Sequence, residues 1–285
     1  MLSAVVVNHN ARDYLLGCVR SLRADGIEEI VVADNDSHDG SADALRAVDA
    51  DVRILSTGAN LGFGAAANRA FALTTGEFVA IMNPDLVVEP GTIKTLVDAL
   101  EHDPALAVVG PRIENADGSW YPSARTFPAL GDALGHAFLQ FVVPGNRFSR
   151  RYKMLDWDHA VARRVDWVAG TFMVVRRDAF AAAGGFDEAY FMYVEDVDLC
   201  WRLRRRGWHV GYEPAARVMH VIGVSSELAP YRMIVAHHRS LFRFGVKTYS
   251  GPRRALLPLV ALGLAARAAL ACIQRALRKR PPAAP

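Results

Sequence analysis

The chain has 285 residues, 52% hydrophobic and 22% charged, which excludes a disordered chain and suffices for one large α/β domain, with or without a terminal appendage. Lys+Arg of 33 against Asp+Glu of 30 leaves a net charge of +3, too small to imply a nucleic-acid binder, and the positive charge gathers at residues 150–153, 202–206 and the C-terminal tail. Cys18, Cys200 and Cys272 are isolated, with no disulfide framework or zinc-ligand pair, and Met1-Leu2-Ser3 lacks a basic n-region, so a cytoplasmic chain without a signal peptide is expected.

Short apolar runs alternate with amphipathic stretches over the first hundred or so residues, the βαβ pattern of a mostly parallel sheet flanked by helices. Strands are predicted at residues 4–7, 29–33, 52–55, 78–82 and 107–109, with helices at 14–23, 39–48, 63–73 and 91–101. From 118 to 164 the pattern is irregular, with an apolar stretch at 133–143. A strand at 168–175 and helices at 177–183, 196–206 and 231–244 follow. The chain ends in an apolar segment, 255–273, with Arg253 and Arg254 before it and Arg275, Arg278, Lys279 and Arg280 at its far side.

Polar residues stand at the C-terminal ends of the predicted strands: Asn8, Asp34, and Asn83 with Asp85. Ligands bind at that edge in open parallel sheets, because loops and helix N-termini converge there. In Asp34-Asn35-Asp36-Ser37-His38-Asp39-Gly40-Ser41 the second half reads as a turn and helix cap, but an acid directly at a strand end is placed to accept a nucleobase N–H. Asn60-Leu61-Gly62-Phe63-Gly64-Ala65-Ala66-Ala67-Asn68 could pass for a dinucleotide turn, yet no strand-end acid follows at the right distance. Its small residues equally suit close helix packing or a phosphate on backbone N–H groups. Asp85, leaving a strand as Asn83-Pro84-Asp85, is either part of a turn or a hard ligand for a divalent cation bridging phosphates. Glu195, Asp196 and Asp198 precede a helix carrying Arg202, Arg204, Arg205 and Arg206, an order that suits the helix dipole. The paired Glu195-Asp196 also suits a general base of tuned pKa. His220, alone in an apolar strand, reads by itself as a core residue.

Taken in order, these segments resemble glycosyltransferase family 2, over roughly residues 3–245. The matching motifs are Val5-Val6-Val7-Asn8, the Asp34 to Ser41 loop, Asn60-x-Gly62-Phe63-Gly64-x-Ala66-x-Asn68, Asn83-Pro84-Asp85, Gly184-Gly185-Phe186-Asp187-Glu188, and Glu195-Asp196-x-Asp198-Leu199-x-x-Arg202. The pattern is most similar to the rhamnosyltransferase branch, in particular the actinobacterial type that acts on a polyprenyl-diphosphate-linked N-acetylglucosamine. The resemblance implies a GT-A fold, with a transferase domain over about 1–250 (donor half 1–115, acceptor half 116–250) and a tail at 251–285. It implies Asp196 as catalytic base supported by Glu195 and Arg202, and a nucleotide-sugar site at Asn8, Asp34, Asn60, Gly62, Asn68 and Asn83. It further implies an acceptor wall at Trp167, Gly170 and Thr171, and Mg²⁺ or Mn²⁺ at Asp85, approached by His220.

Two departures stand out. Asn83-x-Asp85 replaces the family's Asp-x-Asp, removing one charge from the metal site, and the Gln-x-x-Arg-Trp motif of processive synthases is missing, which favours single-sugar addition. The implied donor is dTDP-rhamnose and the acceptor a lipid-linked sugar in surface-polysaccharide synthesis. A nucleotidyltransferase would need a basic, glycine-rich phosphate loop that Val7-Asn8-His9-Asn10 is not. A non-catalytic sugar- or lipid-binding module would have no use for Asp85 together with Glu195-Asp196. Residues 255–266 are free of charge for only about a dozen positions, short of the roughly 20 that cross a bilayer. With basic residues on both sides, the tail is expected to lie on the inner face of an anionic membrane, the alternative being a helix docked on the domain or on another subunit. A homo-oligomer is left open.

Overall fold

The computed structural model describes residues 2–127, 143, 146–152, 154–221 and 229–277. The first half runs β1 (Leu2–Asn8), α1 (Arg12–Ala24), β2 (Glu29–Asp34), α2 (Ser41–Val48), β3 (Arg53–Ser56), α3 (Phe63–Phe71), β4 (Phe78–Met82), β5 (Leu86–Val88), α4 (Thr92–His102) and β6 (Leu106–Asn115). Then come β7 (Trp120–Tyr121), β8 (Ala124–Arg125), α5 (Arg147–Tyr152), β9 (Arg163–Val165), β10 (Trp167–Val168), β11 (Phe172–Arg176), α6 (Arg177–Ala182), α7 (Glu195–Arg204), β12 (His209–His220), α8 (Pro230–Thr248), a 3₁₀ turn at Gly251–Leu256 and α9 (Leu257–Leu277). Most of the apolar stretch at 133–143, and the basic residues Arg278, Lys279 and Arg280, lie outside the described residues.

The main sheet has the order β3-β2-β1-β4-β11-β6-β12-β5. Its first four strands are parallel and β6 runs parallel to β12, while β11 enters antiparallel between β4 and β6. Successive side chains of a strand point to opposite faces, and β1 shows the result. Ala4 and Val6 pack with Leu15, Leu22, Leu45 and Leu96 on one face, and Val5 and Val7 with Phe63, Ala67, Phe180 and Phe186 on the other. Both faces are therefore covered, so the central strands are continuously apolar rather than alternating. Trimming one such leucine, Leu15 for example, to Ala would cost about 2–5 kcal/mol.

Three expectations are revised. The strand at 168–175 is two strands, broken at Ala169-Gly170-Thr171, because those backbone groups are used elsewhere. Ala169 N–H donates to Ser123 O (2.8 Å), Gly170 N–H to Asp196 Oδ2 (2.8 Å), and Thr171 O accepts from Asn83 N–H (3.0 Å). β5 was not anticipated; it pairs antiparallel with the end of β12, setting His220 opposite Leu86. The tail helix, counted from Gly251 to Leu277, has 27 residues and is long and apolar enough to cross a membrane by length and composition.

Candidate active site

The C-terminal ends of β1 and β2 put Asn8 and Asp34 side by side, with Asn8 Nδ2 donating to Asp34 Oδ1 (3.3 Å) and to Ser37 Oγ (3.0 Å). Asn35, missed as a site residue, organises the next loop. Its Nδ2 donates to Asn60 Oδ1 (3.1 Å), and its Oδ1 accepts from Leu61 N–H (2.9 Å). Asp34, Asn8 and Asn60 thus share one edge of the sheet.

Beside them, Asp85 leaves β4 and meets the end of β12, with His220 Nε2 3.3 Å from Asp85 Oδ2. Both residues are buried, and Asp85 Oδ1 and His220 Nδ1 have no hydrogen-bond partner. A buried carboxylate oxygen without a partner is costly unless something positive meets it. Among the described residues no cluster of three or more His, Cys, Asp or Glu forms a metal site. A hard cation held here would take oxygen ligands from its substrate, as such ions often do.

A cavity of about 300 Å³ opens alongside, and Asn83, Gly170, Thr171, Trp167, Glu195 and Asp196 all line it. Tyr121 joins the two places, since it lines the cavity and stacks edge-on against His220 at 6.0 Å. Glu195 and Asp196 open α7 after a strained entry. Tyr193 and Val194 have φ of 67° and 70°, and a β-branched residue in that region is held only when its surroundings demand it. Asp196 accepts N–H bonds from Gly170 (2.8 Å) and Val197 (2.8 Å).

Burial raises the pKa of both acids, and the Asp196 charge raises Glu195 further. For Asp196 the two backbone N–H groups and the Arg125 charge act in the opposite direction, so they favour its ionised form. The pair therefore sheds its first proton to leave Asp196 charged beside a neutral Glu195, whose Oε2 is buried without a partner.

The structure puts other expected residues to different use. Arg202 does not reach the cavity. Its Nε binds Asp198 (2.6 Å), and its two terminal nitrogens bind the Ala183 and Gly185 carbonyls (2.7 Å for the latter). It clamps α7 to the turn after α6, so its expected support of the catalytic base is corrected to a structural role. Asp198, fully buried, is shared with Lys247 (2.6 Å) and Tyr190 OH (3.3 Å). Asn68 clasps Phe186 through both its backbone N–H and its carbonyl (2.9 Å each). Gly62 has φ +86° and stands so close to Phe191 that an added Cβ would lie 2.0 Å from its carbonyl oxygen. Of the two readings of this glycine-alanine run, close packing is the one its geometry serves.

Sequence reading missed Tyr121, Arg125, Tyr193 and His237, which line the cavity. Arg125 stacks on Trp167 across the β8–β10 pair (5.1 Å). Burial, then the nearby His238, Arg267 and Arg125 charges, lower His237 to about 3, so its ring is neutral. Tyr121 and Arg125 come from the irregular segment, Tyr193 from the loop before α7 and His237 from α8, where no periodicity marks them; the doublet His237-His238 was the one available signal.

The model of the family "Glycosyl transferase family 2" matches residues 3–182. The chain is 39% identical over 248 residues to the N-acetylglucosaminyl-diphospho-decaprenol L-rhamnosyltransferase of Mycobacterium tuberculosis H37Rv, covering 83% of this chain and 80% of that one. It is 28% identical over 262 residues to the rhamnosyltransferase WbbL of Escherichia coli K12, covering 86% and 92%. Among solved structures, the mannosyltransferase PcManGT of Pyrobaculum calidifontis, in complex with GDP-Man and Mn²⁺, superposes with a TM-score of 0.62 at 17% identity over 99% of this chain and 76% of that one. GalNAc-T7 with UDP, GalNAc and Mn²⁺ superposes with 0.58 at 15% identity over 78% and 44%. The fold is that of the GT-A glycosyltransferases.

Proposed function

The chain belongs to glycosyl transferase family 2 and is a glycosyltransferase, and from that premise we propose that it moves one sugar, L-rhamnose from dTDP-rhamnose, onto a polyprenyl-diphosphate-linked N-acetylglucosamine with inversion at the anomeric carbon. The observation that carries the chemistry is the cavity lined by the adjacent Glu195 and Asp196 carboxyl groups, next to the Asp85–His220 pair. The sugar is supported by both rhamnosyltransferase relatives and the acceptor by the mycobacterial one alone.

Asp34 and Asn8 receive the nucleobase, and Asn60 and Asn83 border the rest of the donor in the half formed by about residues 1–115. Asp85 and His220 would hold a divalent cation, Mg²⁺ or Mn²⁺, which would neutralise charge on the departing nucleoside diphosphate. The unpartnered Asp85 Oδ1 supports that fit. Asp196 takes the proton of the acceptor hydroxyl as its oxygen attacks the anomeric carbon from the face opposite the diphosphate. Gly170 N–H holds that carboxylate in place (2.8 Å), while Trp167 and Thr171 wall the acceptor side. Glu195, kept neutral by burial, limits the negative charge facing an electron-rich acceptor and diphosphate.

The tail places this chemistry at a membrane surface, on the cytoplasmic face where a nucleotide sugar is made. α9 packs antiparallel on α8, with Arg267 donating to His238 Nε2 (3.2 Å) and Leu257 beside Gly245. Its half-covered side carries Arg267 and Arg275, whereas Leu259, Leu262, Leu270, Ile273 and Leu277 on the other side are all exposed. A water-facing helix would show the reverse. A helix lying along the domain cannot also cross a bilayer, so α9 lies in the headgroup region with that apolar side inward.

The test is a screen of sugar nucleotides for release of the nucleoside diphosphate with the lipid-linked acceptor, with and without EDTA. dTDP-rhamnose is expected to give the fastest metal-dependent release; a faster unrelated donor would overturn the sugar assignment.

A further inference from the structure

A second groove, of about 670 Å³, runs along the side of α8 away from the catalytic cavity. Arg232, Arg239 and Arg243 line it, with Tyr231, Val235 and Phe191 as its apolar part. At 100° per residue, Arg232, Arg239, Arg243 and Lys247 fall on one stripe of α8, a helix with no Asp or Glu in its Pro230–Thr248 span.

The stripe is not neutralised by its surroundings. Asp187 takes Lys247 (3.0 Å) and Arg243 (3.5 Å), and Lys247 also reaches buried Asp198 (2.6 Å). Arg232 lies over the Phe191 ring (4.7 Å), a cation–π contact that leaves its charge unpaired. Neither Arg232 nor Arg239 has an ion-pair partner among the described residues, and both are exposed. The groove is tied to the catalytic loop: Phe191 lines it, and Ser240 Oγ donates to Met192 O (2.9 Å), whose side lines the cavity. Tyr231 and Val235, both exposed, form its apolar margin.

We propose that this groove is a binding site for a lipid-borne phosphate, with Arg232 and Arg239 as its anion-binding side chains and Tyr231 and Val235 against the first carbons of the lipid. Planar arginine forks match phosphate oxygens in pairs, and an apolar margin beside them suits a phosphate attached to a hydrocarbon rather than a free nucleotide. The phosphate belongs either to an anionic bilayer headgroup or to the diphosphate of the acceptor. The inference rests on the membrane-bound, lipid-linked reading above, and nucleoside-diphosphate release measured on the same preparations tells failure of the groove from failure of that reading.

The test uses the full chain with Arg232→Gln/Arg239→Gln, and Arg232→Lys/Arg239→Lys as the charge-conserving partner. Each is floated with phosphatidylcholine vesicles, with and without phosphatidylglycerol, and assayed for KM with detergent-solubilised polyprenyl-diphosphate-N-acetylglucosamine. An arginine near an anionic surface contributes about fivefold in partitioning, so the glutamine pair is expected to lose about 25-fold on phosphatidylglycerol vesicles. Binding to phosphatidylcholine alone and donor hydrolysis stay unchanged, and the lysine pair retains most of the affinity. A loss confined to acceptor KM in detergent supports the site and assigns the phosphate to the acceptor. Wild-type behaviour of the glutamine pair in both assays overturns the proposal, as does a lysine pair that fails as fully as the glutamine pair with a lowered melting temperature.

Discussion

Replacing Gly62 with Ala tests how the catalytic loop is held. The new Cβ would stand 2.0 Å from Phe191 O and 2.7 Å from its carbonyl carbon, where real Cβ contacts keep at least 3.0 Å. Phe191 must therefore retreat by about 1 Å, and both atoms are backbone, with no flexible side chain to turn aside. The position itself, at φ 86° and ψ 171°, is one that only glycine adopts without strain of about 1–3 kcal/mol. Phe63 N–H, which donates to Phe191 O (3.1 Å), would lose its geometry as well. Glu195 and Asp196 lie four and five residues further on, past two strained residues. A misplacement of about 1 Å at reacting groups costs about a hundredfold in rate. Gly62→Ala is thus expected to lower kcat by about that factor and to lower the melting temperature, with donor Kd little changed. Calorimetric donor titration and steady-state kinetics on one preparation separate the terms. A weakened donor Kd with unchanged kcat would refute this reasoning and return Gly62 to the phosphate-binding role.

Asp85→Ala should weaken metal and donor binding together, by at least about tenfold, since even partners behind a metal ligand contribute that much; full activity in EDTA would contradict it. Glu195→Gln should alter the pH dependence of stability. The folded-state pKa of Glu195 is raised above the ordinary 4.5, first by burial and then by the Asp196 charge. Its stability contribution is therefore full below 4.5 and lost as pH rises through the raised value. The glutamine variant should melt above wild type in alkaline buffer and match it in acid; parallel melting curves at every pH would show that Glu195 is charged in the fold. Truncation after Ser250 should abolish binding to anionic vesicles while sparing donor hydrolysis, and a truncated protein that still floats, or that unfolds, would remove α9 from the membrane.

The parallel half of the fold was legible because both of its determinants are local. Apolar runs such as Phe78–Met82 end at polar residues, and α1 and α4 keep a regular apolar face. That also located Asn8, Asp34 and Asp85, since a strand end fixes a sheet edge. What stayed hidden depends on contacts distant in sequence. The break at Gly170 exists because Asp196, 26 positions later, takes its N–H. Asn68 reads as a site residue until Phe186, 118 positions away, is seen to occupy it. Arg202 looks available because its partners Ala183 and Gly185 are backbone carbonyls, which no composition reveals. Arg125 and His237 reach the cavity from segments whose own patterning gives no reason to single them out.

Asp196→Asn tests the central claim most directly, measured as a single turnover of bound donor with the lipid-linked acceptor beside a donor-binding titration. The substitution keeps a side-chain oxygen to accept the Gly170 N–H and removes the basic carboxylate. The account predicts wild-type donor affinity with transfer slowed by at least about a hundredfold, the range expected for a lost general base. Transfer near the wild-type rate would contradict it and move the base to Glu195, since Asp198 is fully buried and held by Arg202 and Lys247.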